Sequence, residues 1–242
     1  MGNLEQQGNP LALAVDTSGR SGSAAIGTGD QILAHDILSG HLRHGAELFT
    51  CCRRLLDRAG GRPSAIEHIY ISAGPGSFTG IRIAVTMAKT LSFANNAKIV
   101  SISTMDVLSA NADAYISMTG RQIQQLATIL DAKRGQFFVA VFRRHGDRWV
   151  KTVSDCLMTC DAFLDRFARG AETIWLAGEG LVYYKHDFTA PKVSFLDEEY
   201  WFPSAVNVYK LAREQAKSGN FSDPLTLAPA YIRGAGATPK AL

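Results

Sequence analysis

The sequence predicts an α/β protein in which mixed sheets are flanked by helices and the chain is built as two related halves. Three observations point there. Near the start, three short apolar segments are joined by tight glycine-containing turns: LALAVDTS (11–18), GSAAIGTG (22–29) and QILAHDILS (31–39). That is the pattern of antiparallel strands. Helix-period and strand-type segments then alternate, which implies parallel strands joined by helices. Finally, the second half runs through a related order of meander, helix, strand and helix.

Each element has its own signal. In HLRHGAELFTCCRRLLDRAGG (41–61), Leu48, Cys52, Leu55, Leu56 and Ala59 share one helical face. Arg43, Glu47, Arg54, Asp57 and Arg58 share the other, and Gly60-Gly61 ends the helix. HIYISA (68–73) is a buried-type strand. SAGPGSFTGIR (72–82) supplies a glycine turn and starts a helix that runs to about Asn95. KIVSIS (98–103) is a further strand, and TMDVLSANAD a short helix capped by Ser103 or Thr104. The first half therefore reads βββαβαβα. In the second half, 126–132, 135–144 and 147–155 form a meander, followed by a helix at 160–168, a strand at 173–178 and a helix at 205–218. The two halves suggest a duplication, although no repeated motif survives in the sequence. The expected division is a tail at 1–9, a first lobe at 10–112, a second, degenerate lobe at 113–233 and a tail at 234–242.

Composition narrows the function classes. At 242 residues and 46% hydrophobic, the chain can build one large core or two small ones. No stretch approaches the roughly 20 apolar residues of a membrane span. The start MGNLEQQGNP lacks the basic-then-apolar order of a secretory signal, and Gln6 stands where a myristoylation signal needs Ser or Thr. Cys51, Cys52, Cys156 and Cys160 make no disulfide framework in a chain this long, which points to a reducing cytoplasm. A net charge of +3 without a dense basic run neither demands nor excludes nucleic acid.

Three sets of residues are candidates for chemistry. Gly74, Gly76 and Gly80 are spaced as neither a dinucleotide fingerprint nor a P-loop. Their turn either offers the amides around Gly76, Ser77 and Thr79 to an anion, or simply launches a helix that Ser77 or Thr79 caps. Wound at about 100° per residue, that helix carries one narrow polar stripe of Arg82, Thr86, Lys89 and Thr90, with Phe93 inside it. It is apolar around more than half its circumference. Ala84, Ala88, Ser92 and Asn95 form a small-residue ridge beside Ile81 and Val85, to be covered either by this chain or by another protein.

The second set, His41, His44 and Glu47, has a spacing that resembles metal ligands. It lacks the H-E-x-x-H order of zinc proteases, and no other His/Cys cluster completes a site. Capping or pairing at the helix start, with Glu47 reaching Arg43, is the simpler reading. The third set is Asp16-Thr17-Ser18, at the carboxyl end of the first strand, where ligands bind in such sheets. A metal nuclease would need more carboxylates nearby. A kinase-like ATPase would need a second glycine-rich hairpin, where this chain has LDAKRGQF (130–137) and, further on, only AGEG (177–180).

Taken in order, these motifs resemble the TsaB (YeaZ) family of tRNA threonylcarbamoyladenosine biosynthesis proteins, in the glycoprotease-like superfamily. The resemblance rests on LALAVDTS, RHGAE (43–47), GPGSFTGIR (74–82), SISTMDVLSA, LDAKRGQFF and PAYIR (229–233), and spans about 11–233. Gly45 stands where the family usually has Ser, and Phe49-Thr50 where it usually has Leu-Pro. The resemblance implies a two-lobed actin/Hsp70-like (ASKHA) fold with ribonuclease-H-like lobes and no catalytic residues of its own. It also implies docking on the transferase TsaD through two first-lobe helices, with the ATPase TsaE joining the pair, a homodimer when alone, and tRNA reached through the complex.

On that basis the expected interface is His44, Glu47, Leu48, Cys51, Ile81, Ala84, Val85, Ala88 and Ser92, so that Ala88→Arg would abolish docking and leave the monomer folded. Asp16, Thr17, Gly76, Ser77, Thr79 and Arg82 are candidates for nucleotide or anion binding. No metal and no cofactor of the chain itself are expected, with ATP or ADP a candidate at the complex interface. The alternatives are a stand-alone ATPase or peptidase of the same fold, and direct tRNA binding by the Arg53/Arg54/Arg58 face.

Overall fold

The structure, a computed structural model, describes residues 8–38 and 44–232, without the side chains of His44 and Ala46. Expectations about His41, Arg43, Arg233, the His44 side chain and most of both tails fall outside the described residues.

Two five-stranded mixed sheets carry the fold. The first contains β1 (Leu11–Asp16), β2 (Ser23–Thr28), β3 (Gln31–Ile37), β4 (His68–Gly74) and β5 (Lys98–Ser103), in spatial order β3-β2-β1-β4-β5. β1 pairs antiparallel with β2 and parallel with β4, and β4 is parallel to β5. The second contains β6 (Gln125–Asp131), β7 (Phe137–His145), β8 (Arg148–Met158), β9 (Ile174–Ala177) and β10 (Val193–Phe195). Read from the far edge, its order is β8-β7-β6-β9-β10, again with an antiparallel meander followed by two parallel strands. The duplication suggested by the element order is thus a duplication of topology.

Both faces of the first sheet are covered, which is why β1 is buried throughout. The two-residue alternation sorts its side chains. Leu11, Leu13 and Val15 join Ile69 and Ile71 of β4 beneath α1 (His44–Arg58) and α2 (Phe78–Asn95). Ala12 and Ala14 face the other way and leave room for Tyr70 and Tyr209, whose rings meet edge to face at 5.7 Å.

The helix on that second face, α7 (Ala205–Lys217), follows the second sheet in the chain, yet Val208, Tyr209 and Ala212 pack on the first. The reverse exchange comes from α3 (Thr104–Ser109) and α4 (Asn111–Thr119). They follow the first sheet, while Met105, Leu108, Ala112 and Tyr115 enter the core of the second. Asn207 of α7 donates to Asn111 of α4 at 2.6 Å where the two exchanges cross. Each sheet therefore needs a helix from the other half to close its core.

Most sequence-derived limits agree with the structure to within one or two residues, because the ends carry local signals. Ser77 caps α2 by accepting from the Gly80 amide at 3.2 Å, and Asn96 ends it in the left-handed conformation. Ser103, Thr159 and Ser204 cap α3, α5 (Cys160–Phe167) and α7 in the same way. The sequence reading missed α4 as a separate helix, the short α6 (Leu181–Tyr184) and the three-residue β10. Among the described residues no helix is long and apolar enough to cross a membrane.

Candidate functional site

The two sheets present corresponding ends to each other across a cleft of about 790 Å³. Its first-lobe wall is the β1–β2 turn with the loop and first turn of α2. Its second-lobe wall is the end of β6 with Glu179, and residues 230–232 form a rim.

The glycine loop is shaped by backbone packing. A Cβ on Gly80 would lie 1.8 Å from the Thr17 carbonyl oxygen, and one on Gly76 would lie 2.4 Å from that of Ser18. The first turn of α2 rests directly on the β1–β2 turn, and only glycine allows that approach. Hydrogen bonds fix the contact. Thr17 Oγ1 donates to the Gly80 carbonyl at 2.7 Å, and the Ser77 amide donates to the Ser18 carbonyl at 2.7 Å. The Ser77 N–H, one of the amides considered for an anion, is already committed.

The same fitting encloses Asp16. Its carboxylate is fully buried and accepts from the Ser18 amide and hydroxyl, each at 3.1 Å, and from the Ser72 hydroxyl. Asp16 and Thr17 tie β1 to its neighbours and do not line the cleft, whereas Gly76, Ser77, Thr79 and Arg82 do.

The second lobe repeats this construction. A Cβ on Gly178 would lie 2.2 Å from the Ile129 carbonyl oxygen, to which the Gly180 amide donates at 3.0 Å. The turn after β9 thus sits on β6, much as the turn after β4 sits on the residues that follow β1. Between Gly178 and Gly180, Glu179 reaches across the cleft, and both its oxygens accept from the Arg20 amide at 3.0 Å. Burial, with Asp16 nearby, pushes its carboxyl up to about 7. Arg20 turns its guanidinium to Tyr183, donating to the phenol oxygen at 2.7 Å and lying 4.3 Å from the ring centre. Sequence reasoning missed this Glu179–Arg20 bridge. Its only local signal was the Gly-x-Gly flanking Glu179.

The outer layer of the first lobe corrects the expected interface. Leu48, Cys51, Ile81, Ala84, Val85 and Ala88 are all buried in the core that α1, α2 and the sheet share, and Ala84 and Ala88 are 0% exposed. This chain itself covers the Ala84 and Ala88 part of the small-residue ridge, while Ser92 and Asn95 stay half-buried. Ala88→Arg would force a charge into that core and unfold the lobe instead of testing a surface. Of the expected interface, Glu47 and Ser92 remain partly exposed. The accessible outer faces of the two helices carry Phe49 and Phe93, at 59% and 64% exposure, with Arg82, Thr86 and Thr90. The arginines of α1 are paired on the surface: Arg54 with Asp36 at 2.6 Å, and Arg53 with Asp57 at 3.0 Å. The Arg54 hydrogen bond holds the Asp36 carboxyl below the usual range. Among the described residues no group of three His, Cys, Asp or Glu is placed to hold a metal.

Two five-stranded mixed sheets of matching topology, facing each other across a cleft, define a two-lobed α/β protein. Within that class the chain belongs to the family described as TsaD: tRNA N6-adenosine threonylcarbamoyltransferase, whose model matches residues 31–222. Its curated relatives are named tRNA threonylcarbamoyladenosine biosynthesis protein TsaB. The one from Bacillus subtilis (strain 168) is 32% identical over 131 residues, about half of either chain (54% of each). The one from Haemophilus influenzae is 21% identical over 234 residues, covering 93% of this chain and 94% of that protein. Among solved structures, YeaZ from Pseudomonas aeruginosa superposes with a TM-score of 0.78 at 23% identity, over 92% of this chain and 99% of that one.

Proposed function

We propose that this chain is a non-catalytic subunit of the machinery that makes N6-threonylcarbamoyladenosine in tRNA, and that it docks on the TsaD transferase through the outer faces of α1 and α2. The names of the curated relatives support the pathway. The observation that carries the docking reading is the pair of exposed aromatic side chains, Phe49 and Phe93, on two long adjacent helices whose inner faces are already filled. Exposed aromatics of this kind are enriched where proteins meet. The burial of Asp16 supports a non-catalytic role, since the acid best placed in sequence to act on a ligand is fully engaged within the chain. In this reading TsaE joins the assembled pair, ATP or ADP enters at the shared interface, tRNA is reached through the complex, and the isolated chain pairs with itself through the same helices.

Reconstitution tests it. The isolated chain with Mg²⁺, ATP and tRNA should show neither modification nor ATP turnover, and modification should appear only when the transferase and its ATPase are added. Robust ATP or peptide turnover by the isolated chain, lost on changing Asp16, would replace this reading with a stand-alone enzyme of the same fold.

A further inference from the structure

The inter-lobe cleft is large enough for a small ligand, since such sites run about 300–1,000 Å³. Its charges indicate what that ligand would be. The charged side chains lining it are Arg20, Arg82, Asp131, Lys133 and Glu179. Asp131 and Lys133 satisfy each other, with the Lys133 ammonium 2.6 Å and its amide 2.7 Å from the Asp131 carboxylate. Arg20 is turned onto Tyr183. Among the described lining residues that leaves Arg82, from the first lobe, and Glu179, from the second, as a pair of opposite sign.

Arg82 is held ready. Its Nε donates to the Tyr231 hydroxyl at 2.8 Å, and its guanidinium lies 3.7 Å from the centre of the Phe78 ring, itself stacked on Tyr231 at 5.4 Å. The fork is fixed by Nε and by its face, which leaves both Nη ends for a planar oxyanion. Glu179 comes from the second lobe, its carboxylate accepting a backbone N–H from Arg20, and among the described residues no cationic side chain is hydrogen-bonded to it. The rest of the cleft lining includes the apolar side chains of Pro75, Ile83, Leu130, Ala132 and Phe138.

We propose that this cleft binds a zwitterionic, peptide-like ligand, whose carboxylate is received by Arg82 and whose ammonium is received by Glu179. A polyphosphate is disfavoured there: among the described residues Arg20 and Lys133 are engaged within the chain, Glu179 adds an acid, and the Ser77 amide is spent on the Ser18 carbonyl. The proposal is independent of the docking reading and can fail without it.

The test titrates the full chain with glycyl-phenylalanyl-glycine, its N-acetyl form and its C-terminal amide, at pH 7.5, with binding followed by NMR shifts of residues lining the cleft. The free peptide should bind about tenfold more tightly than either capped form. Arg82→Gln should erase the preference over the amide and Glu179→Gln the preference over the acetyl form, with thermal melting as the check on folding. Equal affinity for the three peptides, or no shift at the cleft with any of them, would overturn the proposal, as would cleft shifts with ATP alone. The comparison among peptides uses the unaltered chain, so the proposal remains testable even if a variant fails to fold.

Discussion

The two lobes have one topology and unequal outer layers. On the first sheet, α1 and α2 span 15 and 18 residues and form a complete layer with exposed aromatic side chains. On the second, α5 and α6 span 8 and 4 residues, and β9 and β10 shrink to 4 and 3. What both lobes retain is a glycine packed on a backbone carbonyl at or just past the lobe's first strand, Gly80 on Thr17 and Gly178 on Ile129. The difference separates framework from function. The seat that positions the cleft walls is kept twice, whereas the long helix pair, the surface proposed for docking, is built once.

The seats offer the strongest way to break that comparison. Gly80→Ala places a methyl group against the Thr17 carbonyl and Gly178→Ala places one against that of Ile129. Each should cost on the order of 3 kcal/mol or more in urea unfolding. A loss below about 1 kcal/mol at Gly178 would mean the second seat is vestigial.

The outer layers should respond differently. Phe93→Asp is expected to change stability by no more than about 0.5 kcal/mol, because the ring is exposed, and to lower affinity for the transferase more than tenfold. Val150→Asp, at an exposed position on β8 of the second lobe, should leave co-purification unchanged. Equal sensitivity at the two positions would undo the asymmetry.

Two partly buried titratable groups, Glu179 in the second lobe and His68 in the first, give opposing slopes with pH. Burial pushes the Glu179 carboxyl up to about 7 in the folded chain, against its ordinary value of 4.5. Between those values the folded chain holds a proton that the unfolded chain has released, so stability falls as pH rises through that window. The upper bound is about 3 kcal/mol, which partial exposure reduces. Glu179→Gln should therefore stabilise the chain at pH 8 and leave it unchanged at pH 4, as read from paired melting curves. His68, in the first lobe, is held below its ordinary value of 6.5 by burial and then by Lys98. Stability is unaffected by this group above pH 6.5 and declines as pH falls below it. His68→Gln should flatten that acid-side decline.

What the sequence disclosed follows from how far each signal reaches along the chain. The limits of α2 were legible because the Ser77 cap and the break at Asn96 lie within the helix ends themselves. The Arg82–Thr86–Thr90 stripe was legible as a solvent face because helical period alone sorts it. The exchange of α7 and α4 was not, since neither helix carries a mark of which sheet will bury it. β10 was invisible because three residues establish no alternation. At the site, the glycines of 74–80 were recognised as important, but an open amide and an amide packed against a carbonyl have the same sequence. The ridge of Ala84 and Ala88 was ambiguous for a related reason: small residues announce close approach and do not say to what.

The most direct test of the docking surface is hydrogen exchange with the chain alone and with an excess of the transferase. Added protection should fall on amides of 45–58 and 82–95, with β8 and α5 unchanged. Protection on β8 or α5 in place of the α1–α2 layer, or no change in that layer within a verified complex, would contradict it.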